Sequence, residues 1–178
     1  TMSSKQPFVL CGFMGTGKSA TGLALASLLG VPCVDTDREI EKAAGRSVAD
    51  IFAGEGEARF RELEAAAVAA LATDKRVREG AVIATGGGTL LQENVHAALS
   101  SLGTMIALDA SIETIAERAS AMHDRPLLPR AKSGDVDVEA IRALYARRAP
   151  GYDRVAWHVD TTGRTPVETA FEIAESLR

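Results

Sequence analysis

Five short apolar runs punctuate the chain. They are Phe8-Val9-Leu10-Cys11, Val31-Pro32-Cys33-Val34, Ala81-Val82-Ile83-Ala84, Met105-Ile106-Ala107-Leu108 and Trp157-His158-Val159-Asp160. They are near-continuously apolar rather than alternating, which predicts strands buried on both faces. Between them the pattern is helical. Leu25, Leu28 and Leu29 recur at helical spacing in a stretch that begins at Lys18 and stops at Gly30. Residues 38–53 read as short helices broken at Gly45, residues 57–72 as a longer alanine-rich helix, and residues 139–148 as another. Ser111 can cap a helix, with Thr114 where a capping box would carry Glu. Pro166 suits the first helical position, with Thr165 as its cap. Pro126, Pro129 and Gly134 make residues 122–135 a loop.

Strands alternating with helices predict an α/β fold with a parallel sheet covered on both faces. Such sheets place ligands beyond the carboxyl ends of their strands. Polar and glycine-rich clusters follow the first three runs, so all three are expected to meet at one edge.

The first cluster is the most specific. Gly12-Phe13-Met14-Gly15-Thr16-Gly17-Lys18-Ser19 matches G-x-x-x-x-G-K-[ST] in full, between a strand and a helix. Its glycines let backbone N–H groups turn in around phosphate oxygens, and the helix N-terminus adds a favourable dipole. Gly15, Thr16, Gly17, Lys18, Ser19 and Ala20 are the expected nucleotide contacts. Lys18 is expected to reach the β- and γ-phosphates, and Ser19 to ligate Mg²⁺. Ala20 stands where Ser or Thr is common, with little consequence because its backbone N–H makes the contact. The motif indicates nucleotide binding and leaves the acceptor open.

Composition narrows the field. A chain of 178 residues with 46% apolar content suits one compact domain with a sizeable core, taken as residues 1–178. A net charge of −4 argues against nucleic acid. No apolar run is long enough to cross a bilayer, and residues 1–6 carry no signal-type stretch. Cys11 and Cys33, in strand-like runs, read as buried free thiols in a reducing cytoplasm. His96, His123 and His158 show no metal spacing, and Trp157 reads as core.

Asp35 and Asp37 flank Thr36 after the second run. If the strand continues, the two side chains share a face. One can then hold Mg²⁺ through water while the other accepts a proton from a hydroxyl nucleophile. The competing reading is that they cap the next helix.

Further along come Ile51-Phe52, Gly56-Glu57, Phe60-Arg61, Glu64, Gly86-Gly87-Gly88, Arg125-Pro126-Leu127-Leu128 and Arg148-Ala149-Pro150-Gly151-Tyr152. In this order and spacing, from residue 8 to about residue 175, the sequence resembles the shikimate kinase family. The resemblance implies a P-loop fold of the nucleoside monophosphate kinase type, with a five-stranded parallel sheet in the order 2-3-1-4-5. It implies transfer of the γ-phosphate of ATP to the 3-hydroxyl of shikimate, giving 3-phosphoshikimate and ADP in aromatic amino acid biosynthesis, with Mg²⁺ as cofactor. Asp37, Arg61 and Arg148 correspond to the shikimate-binding aspartate and arginines, and Gly87 to a backbone contact with the same substrate. Arg125 corresponds to the arginine that meets the ATP phosphates, Arg118 to one that packs on adenine, and Arg164 falls in the adenine-binding loop. Lys18, Asp37 and Arg125 are the implied catalytic group, with Asp35 assigned to Mg²⁺ through water. Residues 36–64 become the substrate-binding sub-region and residues 119–134 a mobile lid. The protein is expected to be a monomer. Residues 130–138 run a few residues longer than in comparable members.

The side chains support these roles on their own terms. A small carboxylate acceptor needs guanidinium groups that bind it bidentately. Arg61 could instead be a surface charge paired with Glu57 or Glu64. Helical neighbours diverge in direction, so only one of Arg147 and Arg148 can face a site, and the position relative to Pro150 selects Arg148. The triple glycine lets a ligand approach the backbone closely, or serves only as a tight turn. Kinases acting on gluconate or a nucleoside monophosphate are the nearest rivals. An inactive binding module is the rival of another class, and it would need a damaged site.

Overall fold

The five apolar runs become β1 (Phe8–Gly12), β2 (Cys33–Asp35), β3 (Val82–Ala84), β4 (Thr104–Asp109) and β5 (Trp157–Asp160). In the computed structural model, which describes residues 6–121 and 128–178, they form one all-parallel sheet in the order β2-β3-β1-β4-β5. The central β1 pairs on both sides, Leu10 lying opposite Ala84 in β3 and Ile106 in β4. Both flanks are helical: α1 (Lys18–Leu29), α2 (Thr36–Ala44), α3 (Val48–Leu71), α4 (Lys75–Arg78), α5 (Glu93–Leu102), α6 (Ile112–Ser120), α7 (Val138–Asp153) and α8 (Pro166–Ser176).

Successive strand residues enter different cores, which is why the strands read as uniformly apolar. Val9, Cys11, Ile83 and Ala107 pack with Val68 of α3, Leu99 of α5, Ile115 of α6 and Ile141 of α7. Leu10, Val82, Ile106 and Leu108 pack with Leu25 of α1 and with Ala170 and Ile173 of α8. Burial of each large side chain contributes about 1.5–3 kcal/mol. A third, small cluster of Ile40, Ile51 and Phe60 joins α2 to α3, away from the sheet. Cys11 and Cys33 are both free thiols, Cys11 buried and Cys33 half-buried. Burial pushes the Cys11 thiol up to about 12.

Several boundaries differ from expectation for local reasons. The second strand does not run through Asp35-Thr36-Asp37; it ends at Asp35, whose side chain accepts from the backbone N–H of Asp37 and Arg38 and caps α2. Gly45 ends α2 as expected, in the left-handed region at φ 67°. The helices on either side of Gly56 form one element, α3, kinked where Gly56 adopts φ 83° and ψ 177°. α7 passes through Pro150 to Asp153, because its last turn is packed: Tyr152 is buried and Gly151 sits against Leu90. Leu28 is half exposed, and the buried stripe of α1 runs instead through Thr21, Gly22, Leu25 and Ala26. Trp157 is only half-buried, at the margin of the second core.

Arg125, His123 and the centre of the 119–134 segment lie outside the described residues. Beyond them Arg130 and Val136 form a single antiparallel bridge, and the N–H of Asp137 reaches back to the carbonyl of Pro129. No helix among the described residues is long and apolar enough to cross a membrane.

Candidate active site

The carboxyl ends of β1, β2 and β3 do converge, and two clefts meet there. The first follows β1. Gly12 adopts φ 141°, and a Cβ on it would lie 2.4 Å from the carbonyl oxygen of Leu108, so the loop can start only with glycine. Gly17 precedes α1 in the left-handed conformation and provides no side-chain cap, whereas α2, α3, α6, α7 and α8 all begin under one. The first turn of α1 also lacks acidic residues. Its unsatisfied N–H groups are therefore aimed at whatever enters the loop, and the end of the helix favours an anion. Lys18 is 8% exposed, and its Nζ donates to the carbonyl of Phe13 at 2.7 Å. The Ser19 hydroxyl donates to Asp35 Oδ2 at 2.8 Å. Gly15, Gly17, Lys18, Ser19, Ala20 and Asp35 all line this cleft.

The second cleft has the three glycines as its floor and Val48, Phe52 and Phe60 as an apolar wall. A Cβ at Gly86 or Gly88 would crowd polar side chains of the cleft, and one at Gly87 would crowd the Met14 backbone N at 3.0 Å. A Cβ on Gly86 would lie 3.1 Å from Asp37 Oδ1, one on Gly87 3.5 Å from Arg148 Nη1, and one on Gly88 2.3 Å from Arg61 Nη2. Asp37, Arg148 and Arg61, three residues distant in sequence, are thus gathered over one stretch of bare backbone. Met14, Asp37, Gly86 and Gly87 line both clefts, so Asp37 stands at their junction.

The two arginines are held differently. Arg61 is ion-paired, Nη1 to Glu64 at 2.8 Å and Nη2 to Glu57 at 3.2 Å. It is thus both a paired helix charge and a wall of the cleft. Glu64 has a fully buried side chain and also accepts from Thr89 Oγ1 at 2.5 Å and Gln92 Nε2 at 3.0 Å. Arg148 is 4% exposed, and among the described residues no carboxylate lies within ion-pairing distance of it. Its Nε is buried without a hydrogen bond, and its guanidinium lies 5.5 Å from the centre of the Phe13 ring. Burial lowers the affinity of this guanidinium for its proton, and the positive Arg61 adds to the effect; the Tyr152 hydroxyl and Glu57 partly oppose it. A buried cation in this state is costly unless an anion arrives. Arg147, its neighbour, is exposed.

Arg118 and Arg164 line a third recess beside the phosphate loop, with Thr161, Pro166 and Thr169. Arg118 donates to the carbonyl of Gly15 at 3.1 Å, to Thr161 Oγ1 at 2.9 Å, and to the carbonyls of Thr161 and Arg164 at 2.8 and 3.2 Å. Arg164 also pairs with Glu172 of α8. Sequence reasoning gave Thr161 no role, yet its buried hydroxyl joins Arg118 to the carbonyls of Asp109 and Thr16. Nothing in Thr161-Thr162-Gly163 distinguishes it from a turn. Tyr152 was only part of a motif; its hydroxyl donates to the carbonyl of Gly87 and fixes that peptide.

A family model described as shikimate kinase matches residues 14–178. The chain belongs to the shikimate kinase family. The shikimate kinase of Symbiobacterium thermophilum is 46% identical over 173 residues, covering 96% of this chain and 95% of the relative. That of Pelotomaculum thermopropionicum is 47% identical over 165 residues, covering 92% and 90%. Among solved structures, the shikimate kinase from Acinetobacter baumannii in complex with shikimate superposes with a TM-score of 0.87 at 29% identity, covering 97% of this chain and 93% of the other. The fold and strand order expected of the family are those observed.

The floor yields a direct test. In Gly88→Ala the new methyl would meet the ion-paired guanidinium of Arg61 rather than backbone. The expected result is a folded enzyme with a lowered thermal midpoint, because the pair of Arg61 with the buried Glu64 is disturbed, and KM for its acceptor raised about tenfold, equivalent to about 1.4 kcal/mol of acceptor binding. Steady-state kinetics alongside a melting curve checks both.

Proposed function

We propose that the chain transfers the γ-phosphate of ATP to the 3-hydroxyl of shikimate, releasing ADP and 3-phosphoshikimate. The observation that carries this reading is the gathering of Asp37, Arg61 and Arg148 over the glycine floor, in a cleft that opens at Asp37 onto the phosphate loop. Arg148, buried and lacking a carboxylate partner, and Arg61 bind the acceptor carboxylate. Val48, Phe52 and Phe60 cover its ring, and the Gly87 backbone, fixed by Tyr152, contacts its polar edge. Residues 36–64 therefore act as the acceptor sub-region.

Asp37 orients the acceptor hydroxyl at the mouth of the phosphate cleft and stands where it can take the hydroxyl proton. The loop amides and Lys18 hold the phosphates; Lys18 exchanges the Phe13 carbonyl for phosphate oxygen as the nucleotide enters. Arg118, its edge nitrogens held by four acceptors, presents a flat face to the adenine, with Arg164 in the same recess. Arg125, outside the described residues, completes the proposed set of phosphate cations. The Ser19 hydroxyl and Asp35 carboxylate, hydrogen-bonded to each other, are hard oxygen donors of the kind Mg²⁺ takes while keeping several waters. They would hold the ion, Asp35 through water. Bound there, Mg²⁺ neutralises charge on the phosphates during transfer.

ADP release measured with shikimate, gluconate or AMP, with and without Mg²⁺, tests the assignment. Turnover is expected only with shikimate and Mg²⁺ together. Comparable rates with another acceptor, or with none, would refute it.

A further inference from the structure

Glu57 has no part in the transfer described above, yet its carboxylate pairs with Arg61, a wall of the acceptor cleft. It directly follows the Gly56 kink in α3, one helical turn before Arg61, and its Oε1 lies 3.2 Å from Arg61 Nη2. The two ion pairs of Arg61 are unlike. Glu64 is completely buried and tied by Thr89 and Gln92, so its hold on Nη1 is permanent. Glu57 has 53% of its side chain exposed, so its hold on Nη2 can be exchanged. Nη2 is also the nitrogen turned to the floor of the cleft, since it is the atom a Cβ on Gly88 would strike at 2.3 Å. The charge of Glu57 is felt by Arg148 as well, in the sense that opposes the effects of burial and of Arg61 on that guanidinium. One exposed carboxylate therefore acts on both cations of the cleft.

We propose that Glu57 is an internal stand-in for the acceptor carboxylate: it holds the cleft-facing nitrogen of Arg61 until an acceptor carboxylate displaces it, and so sets how strongly an acidic acceptor binds. This rests on the reading of Arg61 and Arg148 as the acceptor clamp. The exchange replaces one carboxylate by another. In the empty cleft Glu57 adds a second counter-charge, beside that of Glu64, to two mutually repelling guanidinium groups, and it weakens acidic acceptors by the strength of the pair that must break. A neutral acceptor does not compete for Nη2 and is not penalised in this way.

The test compares the parent enzyme with Glu57→Gln, using KM for shikimate and the competitive inhibition constant of its methyl ester. Removing an exposed competitor of this kind should lower KM for shikimate about two- to fivefold, with kcat changed by less than about twofold. The inhibition constant of the ester should stay the same. An unchanged or raised KM for shikimate overturns the proposal, and so does an equal tightening of the ester, which would signal a general loosening of the cleft. Combining the change with Arg61→Ala separates the two readings. If Arg61→Ala leaves KM for shikimate unchanged, the clamp fails and this proposal falls with it. If Arg61→Ala raises KM but Glu57→Gln does not lower it, the proposal alone fails. In the Arg61→Ala background the gain from Glu57→Gln should vanish; if it persists, Glu57 acts by another route and the proposal is wrong.

Discussion

Replacing Lys18 by alanine is expected to lower kcat by about 10²–10³-fold, equivalent to about 3–4 kcal/mol of transition-state stabilisation. The reason lies in what the loop keeps and what it loses. The backbone amides around Gly15 and Gly17 and the uncapped start of α1 remain, so the nucleotide still has a cradle. The single cation built into the loop does not. Lys18 is almost buried, its ammonium held 2.7 Å from the Phe13 carbonyl at the bottom of the cleft. From that position it can follow the phosphoryl group as charge shifts from donor to acceptor, which fixed amides do less well. Steady-state rates, with nucleotide binding measured separately by calorimetry, check the prediction. A variant within a few-fold of the parent would remove Lys18 from the mechanism.

Arg148→Ala should cost about 10²–10³-fold in kcat/KM for shikimate, about 3–4 kcal/mol, in the range measured when one partner of a buried charge pair is truncated. Its effect on the fold should be the opposite of what burial suggests. Arg148 has no carboxylate within ion-pairing distance among the described residues, and its Nε is unsatisfied. Removing it therefore breaks no salt bridge and relieves a desolvation cost, against which stands the cavity left beside Phe13. The thermal midpoint of the variant should stay close to that of the parent while its kcat/KM collapses. Calorimetry and kinetics on the same sample decide; a large fall in midpoint would make Arg148 a structural residue.

These two residues illustrate how much of the molecule is written locally. The strands were legible because burial on both faces leaves no polar alternation, and the phosphate loop because its backbone turns demand glycines at fixed spacing. Helical direction allowed only one of Arg147 and Arg148 to face a site, and the position relative to Pro150 selected Arg148. The fate of Asp35-Thr36-Asp37 was not legible in this way. β2 is a three-residue edge strand paired only with β3, so a cap on the next helix outcompetes its extension. Asp35 consequently caps α2 and accepts from the Ser19 hydroxyl at once. Arg61 likewise is a paired helix charge and a cleft wall together. The linking of Arg118 through Thr161 was invisible, because it depends on how β4, β5 and the phosphate loop stack in space.

The two halves of the site do not share one source of rigidity. The loop that cradles the donor begins at Gly12, wedged against the Leu108 carbonyl inside the paired sheet. Its start shares the rigidity of the sheet. The cleft for the acceptor leans on α2 and the kinked α3, joined by a cluster of just three buried side chains. Such a satellite opens at a lower free energy than the whole domain. On warming, the molecule should become forgetful of its acceptor while still gripping its nucleotide.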